Sequence, residues 1–306
     1  MSAGWVAGTV RAKALTRRRL GHDGARALVA GPLPAGIKSL ARSPYGQFVR
    51  SDDSLAAATR GVAAALLWNA RVLAGWLPPR GSETLRVLAG WYEIANVEEH
   101  VRGLAGLPIE PPFSLGSLAT AWPRLSSTTS LDELRTELGA SRWGDPGGTT
   151  PRDFQLAMGL AWVERLTARV PSAATWALGG AALLLAREVL VLRQPLSEHV
   201  QARVGRILGT RWSTTSTLPE FRASLPADAR WVLRDIADVD RLWEAEAVWW
   251  RRLHADSAVL QARSGFGIEA IVGAVGLLAF DAWLVTGALA GAGRGDDAVE
   301  VFDAVA

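Results

Sequence analysis

Three carboxylates stand inside apolar stretches of this 306-residue chain: Glu93 in LRVLAGWYEIANVEEHVRGLAG, Glu188 in ATWALGGAALLLAREVLVLRQP, and Asp281 in IEAIVGAVGLLAFDAWLVTGALAGAG. At the centre of a membrane span such a group costs about 2.5 to 3.5 kcal/mol on insertion scales. In a soluble helical core it sits at the edge of its helix or pairs with an arginine or a helix N-terminus, because an unpaired buried charge is costly. Glu188 follows Glu93 by 95 residues and Asp281 follows Glu188 by 93. Near-constant spacing over that distance marks a repeated structural unit, and the trio therefore reads as structural rather than reactive.

The remaining candidates for chemistry are sparse. The histidines, His22, His100, His199 and His254, are scattered, and no HExxH spacing occurs. His100 and His199 each follow a glutamate in an EHV triplet, a weak metal signal that surface helix residues explain more simply. There is no GxxxxGK[ST] phosphate loop and no GxSxG elbow, and GAGRG at Gly291 to Gly295 follows a helical segment, where it reads as a terminator. The absence of cysteine excludes disulfides, thiol catalysis and thiolate metal sites. We expect no catalytic residue, no cofactor and no metal.

The elements that position the carboxylates are helical. Hydrophobic residues make up 49% and charged residues 21%, enough to bury a sizeable core, and strand-type alternation is scarce beside alanine-, leucine- and arginine-rich segments of helical spacing. The net charge of +3 leaves no nucleic-acid footprint. A first helix is expected over Trp5 to Leu20, with Trp5, Val6, Thr9, Val10, Lys13 and Ala14 on one side, Arg17 to Arg19 at its C-terminal end and Gly21 as its cap. The fourteen tryptophans read as fillers between closely packed helices. The N-terminus places mildly apolar residues before its charges, the reverse of a secretory signal.

Repeats extend beyond the carboxylates. LPAGIKSLARSPYGQF from Leu33 aligns without a gap on LDELRTELGASRWGDP from Leu131, so that Ser43 matches Ser141, Tyr45 matches Trp143 and Gly46 matches Gly144 at an offset of 98. LPEFRASLPADARW from Leu218 repeats the Leu-x-Glu-apolar-Arg pattern, with Trp231 one residue late. Each reads as a short amphipathic helix followed by a turn that presents an aromatic ring. Helical material, SLAAATRGVAAALLWNARVLAGWL, PRDFQLAMGLAWVERLTARV and IADVDRLWEAEAVWWRRLHADSAVLQAR, fills the interval before each acidic helix. Linkers are expected at Leu107 to Pro112 and around Thr210 to Thr217, and a loop ending in a helix start at Gly144 to Asp153. The chain thus parses as all-α, with three pseudo-repeated units over 1–108, 109–209 and 210–306. Ile268 to Gly293 and Ser172 to Leu192 have the length of membrane spans, and a polytopic membrane protein is the reading they would support. The charges in the equivalent segment WYEIANVEEHVR argue against it.

This pattern resembles the rotor-adaptor family of A/V-type ATPases, known as the C-type component in the archaeal and bacterial enzymes and the d-type component in eukaryotic vacuolar ATPases. SPYGQF (Ser43 to Phe48) is similar to that family's Tyr-Gly turn, and WYEIANVEEHVRG (Trp91 to Gly103) resembles its Asp-x-x-Asn helix, with Glu93 and Asn96 in those places. WVAGTVRAKALTRRRL looks like its first helix, and LLAFDAWLVTGALAGAGRG with DDAVEVFDAV like its last acidic helix and closing short helix. Val191 and Leu284 stand where the second and third copies would carry the asparagine. The resemblance implies a funnel-like, pseudo-threefold body and a non-catalytic rotor component. Its expected partners are the central-stalk proteins and the membrane proteolipid ring, so that it lies peripherally on the cytoplasmic face without a span of its own. The alternative is a helical-repeat scaffold for an unrelated protein partner.

Overall fold

A computed structural model describes residues 3–263, 265–294 and 297–305. These residues form sixteen α-helices and no strand. In chain order they are α1 (Ala3–Thr16), α2 (Gly21–Val29), α3 (Leu33–Leu40), α4 (Leu55–Trp76), α5 (Pro79–Leu88), α6 (Gly90–Leu104), α7 (Trp122–Leu125) and α8 (Leu131–Gly139). Then follow α9 (Pro151–Arg169), α10 (Ala174–Ala186), α11 (Glu198–Leu208), α12 (Leu218–Ser224), α13 (Ala227–Arg230), α14 (Leu242–Ala262), α15 (Ile268–Gly291) and α16 (Asp297–Val305).

Local chemistry sets many of these boundaries. The hydroxyls of Ser54, Ser130 and Ser197 accept the first free backbone N–H groups of α4, α8 and α11, and Thr150 with Asp153 and Thr217 with Glu220 form capping boxes on α9 and α12. Residues 107–115 have no regular structure, as the proline-bearing linker predicts. Residues 210–217 instead contain a turn of 3-10 helix, Arg211–Thr214, that seats the Trp212 ring. Gly295 of the expected terminator lies outside the described residues, and α15 itself ends at Gly291.

The chain divides into two compact units. One comprises Met1–Ser82 with Trp250–Ala306, and the other Glu83–Trp249. These boundaries differ from those expected at 108/109 and 209/210. In the first unit α15 is the central element, packed by α1, α2 and α4. It is apolar on every side, as a helix surrounded by protein must be. It and Pro171–Val191 are the two helices among the described residues that are long and apolar enough to cross a membrane, with 72% and 50% of the respective windows buried. In the second unit α9 packs against α6, α10 and α11, around a core that includes Ile94, Leu134, Leu138, Trp143, Phe154 and Met158.

The first helix departs from expectation. It ends at Thr16, not Leu20, because Leu20 and Gly21 are needed to open α2, and Gly21 (φ 71°) starts that helix instead of capping α1. Its inward stripe is Gly8, Thr9, Ala12 and Thr16, small residues that let α1 lie close to α15, whereas Val6 and Val10 face outward.

Close approach also governs the contact of α14 with α15. A Cβ on Gly276 would lie 2.1 Å from the Ser257 hydroxyl and 3.1 Å from its Cβ, and one on Gly273 would lie 2.6 Å from the Ser257 carbonyl oxygen. Gly276→Ala is accordingly expected to destabilise the fold by about 1–3 kcal/mol, the cost of overpacking a filled interface, seen as a lower urea midpoint. Adding Ser257→Gly should restore part of the loss. An unchanged midpoint in the single variant would show that the helices are not held this close.

Candidate functional site

Glu93 lies in the first turn of α6 and is 1% exposed. The segment leaving α6 returns across it and opens α7, so three successive backbone N–H groups point at one carboxylate. Thr120 donates to Oε2 at 2.6 Å, and Ala121 and Trp122 donate to Oε1 at 2.5 and 2.7 Å. The Trp143 indole Nε1–H adds a fourth bond to Oε1 at 3.2 Å. Charge-assisted bonds of this kind are what an ionised carboxylate requires once water is removed.

One turn further along α6, Asn96 binds the same returning segment at its other end. Its Nδ2 donates to the Phe113 carbonyl at 2.9 Å, and its Oδ1 accepts the Phe113 N–H at 2.6 Å. Arg165 of α9 closes the arrangement, with its guanidinium 4.7 Å above the Trp143 ring and Nη2 3.4 Å from the Thr120 hydroxyl. Burial lowers the pKa of this guanidinium, and the nearby Glu93 charge works in the opposite direction.

Asp281, in the middle of α15 and 2% exposed, is satisfied in the same manner. The Tyr45 hydroxyl donates to Oδ2 at 2.7 Å, the Leu20 N–H to Oδ2 at 3.1 Å and the Gly21 N–H to Oδ1 at 2.7 Å. The ligands are again the start of a helix, here α2, and an aromatic side chain with a polar hydrogen.

Both aromatics are delivered by one turn construction. The Ser43 hydroxyl donates to the Leu40 carbonyl at 2.6 Å and accepts the Tyr45 N–H at 3.1 Å. The Ser141 hydroxyl donates to the Leu138 carbonyl at 2.7 Å and accepts the Trp143 N–H at 3.1 Å. The glycine that follows is required in each turn. A Cβ on Gly46 would come within 2.1 Å of the Ala41 carbonyl oxygen, and Gly144 sits at φ 78°.

The geometry corrects the grouping expected from the sequence. Tyr45 belongs with Asp281 and Trp143 with Glu93, not Tyr45 with Glu93 and Trp143 with Glu188. Glu188 is not a third instance. It lies in the π-helical turn Arg187–Val191 that ends α10, where Arg152 of α9 engages Oε2 through Nη2 at 2.6 Å and Nε at 2.8 Å. Trp231 packs elsewhere on α10, over Gly179, where an added Cβ would lie 2.7 Å from its ring. Trp143 lies over Gly90 in the same way, at 3.2 Å. Three residues beyond these glycines stand Glu93 and Ala182, so the carboxylate position of α10 is an alanine. Leu284, one turn beyond Asp281, is buried, whereas Asn96, one turn beyond Glu93, makes paired bonds. Arg165, Arg152 and the two helix starts were missed in the sequence. Only the glycine after LTRRRL hinted at one of them.

Among the described residues no group of three or more His, Cys, Asp or Glu side chains is arranged to hold a metal ion. His100 bonds the Thr128 hydroxyl at 2.8 Å, and His254 stacks on Phe280 at 4.3 Å.

Glu93→Gln replaces an acceptor with an amide whose NH2 confronts N–H donors. It is expected to cost about 2–4 kcal/mol in urea unfolding, more than Tyr45→Phe at about 1–3 kcal/mol, because the latter leaves two backbone donors on Asp281. Equal and negligible losses would refute the clasp. A pH effect follows from Asp145, just beyond the second turn, whose pKa is lowered to about 2 by its bonds to Arg135 and the Gly147 N–H. Because the folded value lies below the ordinary 3.8, its contribution is complete above the unfolded pKa and lost as pH falls toward 2. Asp145→Asn should flatten the stability profile across that window, and an unaltered slope would count against the pair. In comparisons with known proteins, no family model and no curated sequence matches the chain.

Proposed function

We propose that the chain is a non-catalytic rotor component of an A/V-type rotary ATPase, coupling the central stalk to the membrane proteolipid ring and transmitting torque from the cytoplasmic face. The observation that carries this reading is the recurrence of one device, a buried helix carboxylate joined to a helix start and to the aromatic of a Ser-x-aromatic-Gly turn, at the positions on which the family resemblance rests. A coupling element must resist shear between its helices, and bonds such as those of Asp281 to Leu20 and Tyr45 cross-link segments 236 to 261 residues apart. The two clasped carboxylates are consumed by these contacts and face no solvent.

One observation favours a helical scaffold for another protein partner instead: Ala182 stands where a third carboxylate would complete a threefold device. Purified chain mixed with isolated stalk proteins and with detergent-solubilised proteolipid ring distinguishes the two. Co-migration with both in size-exclusion chromatography is the expected result. Binding to neither would overturn the rotor role and leave the scaffold.

A further inference from the structure

We infer that the outer face of α1, together with Trp76 at the end of α4, is a docking surface for an anionic phospholipid bilayer. The proposal goes beyond the rotor reading and stands whether or not that reading holds.

The surface has two components. The first is charge. Arg11, Lys13, Arg17, Arg18 and Arg19 lie on α1 and the turn that follows it, no acidic residue precedes Asp23, and none of the five forms an ion pair among the described residues. Arg11, Arg17 and Arg18 are exposed. Arg19 turns back to the Thr16 carbonyl at 2.9 Å. Arginines such as Arg26, Arg135, Arg206 and Arg252 do find carboxylates, whereas the basic side chains of α1 have none within their own stretch of sequence.

The second component is apolar and outward-facing. Val6, Val10 and Ala14 follow at four-residue spacing along the outer side of α1, with Val10 57% exposed. Trp76 is 52% exposed, with the Arg11 guanidinium 5.9 Å from its ring. A basic helix face carrying a few aliphatic side chains beside an exposed tryptophan matches the chemistry of a headgroup layer, where cations meet lipid phosphates and the indole sits at the boundary.

A folded acidic partner fits less well. Among the described residues, Val6, Val10 and Trp76 are the large exposed hydrophobics of this face, few anchors for the apolar centre of a protein interface, whereas a lipid surface needs summed charge and no matching relief. The apolar helix behind this face, α15, is itself enclosed by protein, so the contact is superficial and not a span.

The test is flotation of the full chain with vesicles of phosphatidylcholine alone or mixed with phosphatidylglycerol. Binding to the mixed vesicles that disappears with phosphatidylcholine alone and in high salt is expected. Arg11→Gln/Arg17→Gln/Arg18→Gln should weaken it on the order of a hundredfold, and Trp76→Ser several-fold, with helical circular dichroism retained in both. As a control, Arg211→Gln/Arg230→Gln/Arg234→Gln removes three exposed charges from the other unit. Equal loss in that variant would show that net charge and not this face is responsible, and would overturn the proposal. So would equal binding to uncharged vesicles, or capture of polyglutamate with no vesicle binding, which would assign the face to an acidic protein.

Discussion

A carboxylate removed from water must recover several hydrogen bonds or stay neutral, and this requirement organises both units of the protein. Backbone amides at a helix start are the least mobile donors available, since they are fixed by the helix and point outward along its axis. Using them obliges a particular segment to return to a particular turn of a long apolar helix. In the second unit the whole excursion from Phe113 to Trp122 is fastened in this way by two residues one helical turn apart, Glu93 and Asn96. The carboxylates therefore specify topology, while leucine, alanine and tryptophan packing supplies the bulk of the cohesion.

Much of this was legible in the residues. The helical class followed from spacing, and the offset of 98 between Ser43-Pro44-Tyr45-Gly46 and Ser141-Arg142-Trp143-Gly144 marked two turns that share their hydrogen bonds bond for bond. That a buried acid pairs with an arginine or a helix N-terminus was inferable from desolvation alone, and the structure gives Asp281 a helix N-terminus and Glu188 an arginine. The identity of each partner was not. Sequence order suggests that a turn serves the acid that follows it, whereas each of these two turns serves an acid on another element: α6, which precedes Trp143, and α15, at the far end of the chain from Tyr45. The outward placement of Val6 and Val10 was hidden for a different reason: a helix that approaches its neighbour through glycine, threonine and alanine buries its smallest residues, and a hydrophobicity pattern then points the wrong way.

On α10 this device does not form. Trp231 packs over Gly179, and Ala182 stands three residues beyond that glycine, so α10 needs no returning amides there. The acid six residues later instead sits at a π-helical turn, where the extra backbone residue helps present Glu188 to the Arg152 guanidinium. A numerical spacing near 95 residues thus joins two related sites and one unrelated one, and only the surrounding turn chemistry tells them apart.

The first unit is assembled from both ends of the chain, with the second interposed between its halves in sequence. On the ribosome, residues up to Ser82 emerge without the helix that carries Asp281, and the whole of Glu83–Trp249 is synthesised before that helix appears. At roughly 5–20 residues per second, the inward faces of α1, α2 and α4 wait for on the order of ten seconds or longer without the central helix they enclose in the finished fold. The interposed unit holds its own contacts and does not have to wait for α15, whereas the amino-terminal helices stay without their central partner until α15 has emerged.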